Sequence, residues 1–177
     1  MRRLFAGLRP GPAGPRAGVV APLVATVGVV LMLAAGPPGA AAQDLGAVLA
    51  TDYNASAHVR SLGLDDPWPV GDHGEPVYHD AVARWHGGKL WVVNRGGADN
   101  VQVLDPAEGM QTVRQFSLGL GRNLQDIGFA ADGTAWVSCY DEPDLLHVDP
   151  ATGQILHVVS TATFADADGL PETGWLL

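Results

Sequence analysis

"LLHVDPATGQILHVV" (residues 145–159) sets two short apolar runs on either side of Asp149-Pro150-Ala151-Thr152-Gly153, and "VQVLDPAEGMQTVRQF" (101–116) does the same around Asp105-Pro106-Ala107-Glu108-Gly109. In each hinge the Asp accepts backbone N–H bonds, the Pro presets φ for the first turn position, and the Gly takes the left-handed residue that ends the turn. One such hairpin would be a local event. The same hinge written twice, at 105 and again at 149, is a repeated supersecondary unit.

Working outward, residues 79–116 align with 125–159: Asp80 meets Asp126, Trp91 meets Trp136, and Asp105-Pro106 meets Asp149-Pro150. His86-Gly87-Gly88 and Asp132-Gly133 fall between the first two apolar runs of each copy, where Gly supplies the positive φ of a tight hairpin. Each copy therefore reads as four strands. No stretch carries helical periodicity free of Gly or Pro for more than about ten residues. A lone hairpin cannot bury its faces, but four-stranded units of roughly 40–45 residues packed radially can. The expected fold is all-β: a partial β-propeller of four-stranded antiparallel blades over 43–177, with repeats at about 46–70, 79–117 and 125–160 and the start of another at 166–177.

The propeller reading begins after residue 42. Arg2, Arg3, Arg9 and Arg16 precede an uncharged apolar stretch that ends in Pro-Pro and small residues, and Ala40 and Ala42 occupy the −3 and −1 positions of a cleavage site. Residues 1–42 read as a secretory signal cut before Gln43. The stretch is also long enough to span a bilayer, so an uncleaved anchor stays open. The expected location is periplasmic, cell-surface or extracellular, with no stable membrane span once the signal is removed.

Residues 43–177 carry six Lys and Arg against all nineteen acids, a net charge of about −13. That surface repels phosphate backbones, which disfavours sequence-independent nucleic-acid binding. The single cysteine, Cys139, cannot form an internal disulfide, so an exported fold of this composition depends on its core.

"LWVVNRGGADNVQVLDP" resembles the YVTN-type, surface-layer-like β-propeller repeats of exported bacterial proteins, with Trp91-Val92-Val93-Asn94 as the signature and Val101-x-Val103-Leu104-Asp105 as the next strand. Trp136-Val137-Ser138-Cys139 fits too, except that Cys139 replaces the Asn. "DYNASAHVRSL" (52–62) resembles the middle of an earlier blade and "DADGLPE" (166–172) the opening of a later one. The resemblance covers about 46–172 and implies seven blades in a closed ring. Two full units cannot close one, so a truncated product, completed by further blades or by self-association, is the expectation.

The candidate site is acidic. Asp80, Asp126 and Asp168 are read at the start of successive innermost strands, where a propeller borders its central tunnel. With His79, Asn123 and Gln125 they form a candidate ring for a polar ligand or a hard cation such as Ca²⁺, which takes oxygen ligands. The competing reading is that inner-strand Asp residues cap backbone N–H groups. Neither an H-E-x-x-H nor an EF-hand spacing is present, nor a G-x-S-x-G or a phosphate-binding loop. Two function classes follow: an exported, non-catalytic scaffold binding a protein or small polar ligand, or a metal- or cofactor-dependent propeller enzyme, lactonase-like or quinoprotein-like.

Overall fold

In the computed structural model, which describes residues 45–52 and 55–176, both hinges close hairpins. The signal segment expected at 1–42 lies outside the described residues. Strands β1 (Leu45–Asp52), β2 (Ser56–Gly63) and β3 (Glu75–Val77) make a three-stranded sheet. Strands β4 (Ala81–His86), β5 (Lys89–Asn94), β6 (Asn100–Asp105) and β7 (Gln111–Ser117) make a four-stranded one, in chain order. So do β8 (Leu124–Phe129), β9 (Ala135–Cys139), β10 (Asp144–Asp149) and β11 (Gln154–Ser160). All pairings within the three sheets are antiparallel.

The turns have the chemistry that their residues dictate. Gly87 and Gly88 lie at φ 57° and 73°, which lets two residues join β4 to β5. Asp105 accepts the Ala107 N–H at 2.9 Å and starts the one-turn 3-10 helix Pro106–Glu108, which Gly109 ends at φ 68°. Asp149 repeats this, taking the Ala151 N–H at 2.8 Å and the Thr152 hydroxyl at 2.7 Å. The two outer hairpins also share a bulge, between Val103 and Leu104 in one and between His147 and Val148 in the other. An extra residue there adds twist at the same place in both sheets.

Strand alternation decides which face meets which neighbour. On β5, Leu90 and Val92 pack with Ala47, Leu49 and Val59 of the first sheet. Trp91 and Val93 point the other way, into a core shared with Ile127, Val137, Leu146 and Val148 of the third. The middle sheet is thus covered on both sides. Neighbouring sheets also touch through their first strands, β1 against β4 and β4 against β8. The fold is all-β, a partial β-propeller of antiparallel sheets stacked face to face. Among the described residues no helix is long and apolar enough to cross a membrane.

Candidate functional site

The segments that enter β4 and β8 and those that leave β5 and β9 gather at one rim of the stack, where hydrogen bonds cross-link them. Arg95, just after β5, donates Nε to Asp80 Oδ1 at 3.0 Å, adds a second, shorter contact from the same guanidinium, and gives its third nitrogen to Gln125 Oε1 at 3.0 Å. Gln125 Nε2 in turn donates to Asn123 Oδ1 at 2.9 Å, which also accepts the Gly96 N–H at 3.2 Å. Tyr78 donates its hydroxyl to Gly96 O at 3.2 Å, and its ring lies 4.1 Å from that of His79. Asp80, Asn123 and Gln125, three of the residues expected at the site, are therefore brought together, with His79 alongside.

Asp126 and Asp168 stand elsewhere. Asp126 is not at the start of its strand but inside β8, opposite Ser138. The aligned Asp80 precedes β4, so the two do not occupy the same place. The offset has two causes: five residues join β8 to β9 where two join β4 to β5, and Asp126 lies 10 positions before Trp136 where Asp80 lies 11 before Trp91. Asp126 is 1% exposed and accepts from Arg84 Nη2 at 2.8 Å across the sheet boundary and from the Ile127 N–H at 2.9 Å. Asp168 caps an exposed turn through the Leu170 N–H at 2.8 Å. Among the described residues no group of three or more His, Cys, Asp and Glu is placed to hold a metal ion.

One organising residue escaped the sequence reading. Asp99, fully buried at φ 44°, accepts the N–H groups of Gly121 at 2.6 Å, Arg122 at 3.3 Å and Leu124 at 3.3 Å. It fixes the loop that presents Asn123 to the rim. The available signal was the "GGAD" run, since Asp tolerates the left-handed region that such a loop demands. Cys139 ends β9 fully buried, and that burial pushes its thiol up to about 11, which keeps it protonated.

Away from the rim, the outer face of the third sheet carries a cavity of about 410 Å³ lined by Gly128, Phe129, Ala130, Trp136, Leu145 and Leu176. The Trp136 ring stacks on His147 there at 4.5 Å.

No family model matches the chain, and neither does any curated protein. Similar solved structures include the glutaminyl cyclase of Myxococcus xanthus (17% identity, TM-score 0.44, 68% of this chain and 50% of that one). The WD40 domain of SCAP from fission yeast is similar at 12% identity and a TM-score of 0.48, over 76% of this chain and 34% of the other. A protein of unknown function from Bacteroides caccae shares 16% identity at a TM-score of 0.40, over 72% and 48%. The chain spans between about a third and a half of the length of these structures.

Proposed function

We propose that the protein is an exported, non-catalytic β-propeller module of the bacterial cell envelope, built on YVTN-type repeats, that binds a protein or a small polar ligand at the loop rim. The observation that carries this reading is the state of the two aspartates nearest the rim and the inner strands. Arg95, in the loop after β5, neutralises Asp80, and Arg84 neutralises Asp126 from the neighbouring sheet. Carboxylates paired in this way hold segments in position, and the loops they hold are the usual carriers of binding function on a rigid scaffold. The competing reading, a metal- or cofactor-dependent enzyme, needs those carboxylates released from their arginines.

Metal analysis of the purified full chain, followed by calorimetric titration with Ca²⁺, separates the two. The scaffold reading expects no stoichiometric metal and no saturable heat. One bound Ca²⁺ per chain, lost in Asp80→Asn, would transfer the assignment to the enzyme class. Export is tested by fractionating expressing cells and sequencing the N-terminus: the expected product lies outside the cytoplasm and begins at Gln43.

A further inference from the structure

Segment 172–176 lies across the outer face of the third sheet, in the place that β8 takes on the second. Glu172 starts it at φ 48°, as Asn123 starts the run into β8 at φ 50°. The segment is held through side chains. Tyr140 OH donates to Glu172 Oε1 at 3.0 Å, Thr173 Oγ1 to Cys139 O at 2.8 Å, and Ser138 Oγ to Gly174 O at 2.9 Å. Leu176 N donates to Asp126 Oδ2 at 2.8 Å, and the Arg84 guanidinium lies 5.1 Å over the Trp175 ring.

The third sheet differs from the second at the positions that meet this segment. By strand register, Val82 pairs with Val93 on the second sheet, and both pack in the apolar core beneath the third. The corresponding pair on the third sheet is Asp126 and Ser138. Those two polar residues are the ones that take the Leu176 N–H and serve the Gly174 carbonyl. Arg84, opposite Trp91, corresponds to Gly128, opposite Trp136. A Cβ on Gly128 would stand 3.2 Å from the Leu176 Cβ, so glycine leaves the room that Leu176 uses. All three exchanges fit the face to a single extended segment whose backbone needs partners.

Among the described residues nothing comparable fastens the other side. Residues 165–176 join no strand ladder, and Trp175 is 74% exposed. A segment with so little buried apolar surface opens at far lower free energy than the sheet below it.

We infer that segment 172–176 is a detachable strap, latched by Asp126, Ser138, Thr173 and Tyr140, whose release turns the cavity beside Leu176 into an open apolar groove floored by Trp136 and Leu145. The rim reading neither requires nor is required by this device.

Hydrogen–deuterium exchange of the full chain, read by mass spectrometry, tests it. In the native chain, the strap exchanges through local opening, faster than β9 but slower than an unstructured peptide. Ser138→Val, which restores the second sheet's residue, removes one latch bond and speeds strap exchange by about fivefold, the value of one hydrogen bond. Exchange of 135–139 stays unchanged. Thr173→Val gives the same result without touching the sheet. Gly128→Leu competes with Leu176 for the cavity and leaves the strap unprotected. Equal protection of the strap and β9, an unprotected strap in the native chain, or no response to Ser138→Val and Thr173→Val would each overturn the proposal.

Discussion

Where β5 ends in Asn94, β9 ends in Cys139, and the two side chains do different work. Asn94 is buried and fully engaged: its Oδ1 accepts the Tyr78 N–H at 2.9 Å, and its Nδ2 donates to Asn100 at 2.8 Å and Gln102 at 3.1 Å. Gln102 passes the network on to Thr112 and the Pro76 carbonyl, and Thr112 to Glu75, so one amide ties β3 to the second sheet. Cys139 joins the apolar core between the sheets instead. Burial holds its thiol at about 11, so at pH 8 the thiolate fraction is on the order of a thousandth. A disulfide reagent such as Ellman's should therefore leave Cys139 unmodified for hours at pH 8 in the native chain and react with one thiol per chain within minutes in denaturant. Rapid native modification would contradict the burial.

At the scale of the hairpin, two glycines with the same conformation separate backbone strain from crowding. Gly109 (φ 68°) has open space where a Cβ would go, whereas a Cβ on Gly153 (φ 78°) would lie 2.5 Å from the Phe116 ring of the neighbouring sheet. Gly109→Ala should cost about 1–2 kcal/mol, the left-handed penalty alone. Gly153→Ala adds overpacking of about 1–3 kcal/mol, and chemical denaturation of the two variants measures the difference.

Turn carboxylates also set the acid limit. The hydrogen bond from Lys89 lowers Asp105 below the usual aspartate value, and hydrogen bonds from Thr134 and Thr152 do the same for Asp132 and Asp149. A carboxyl depressed in the folded state contributes stability that is complete above its unfolded value of about 4 and is lost as pH falls through the folded value. The stability these carboxyls contribute should decline as pH falls below about 4, with a smaller decline in Asp105→Asn; thermal melts at falling pH decide it.

These hairpins were legible because alternation and the Asp-Pro…Gly hinge are local signals. The placement of Asp126 was not. A longer turn and a one-residue difference in spacing to the tryptophan shifted its register relative to Asp80, and its partner Arg84 stands 42 residues away, beyond any spacing rule. The strap residues carry no periodicity of their own, so their role follows only from what lies beneath them.

Across the whole stack, the repeat offers a comparison within one molecule. Trp91 and Trp136 occupy matching strand positions, each on the face that looks toward the later part of the chain. A full sheet covers Trp91, which is 6% exposed: its indole N–H donates to His86 O at 3.1 Å, Phe129 meets its ring edge-on at 4.9 Å, and the Arg114 guanidinium lies 5.5 Å above it. Trp136 is only partly covered; it stacks on His147 and borders the cavity that Leu176 closes on one side. Truncating a well-packed core tryptophan costs about 3–5 kcal/mol, through lost burial and the void left behind. Trp91→Ala should pay that in full, because the sheets on both sides are fixed by their own ladders and cannot collapse into the gap. Trp136→Ala removes a side chain that already faces an open cavity, so the loss should be less than half as large. Urea unfolding of the two variants, followed by far-UV circular dichroism so that the lost indole does not bias the signal, measures both. Equal losses would mean that the outer face is as well covered as the boundary between the sheets, and the strap would then have to be counted as part of the core.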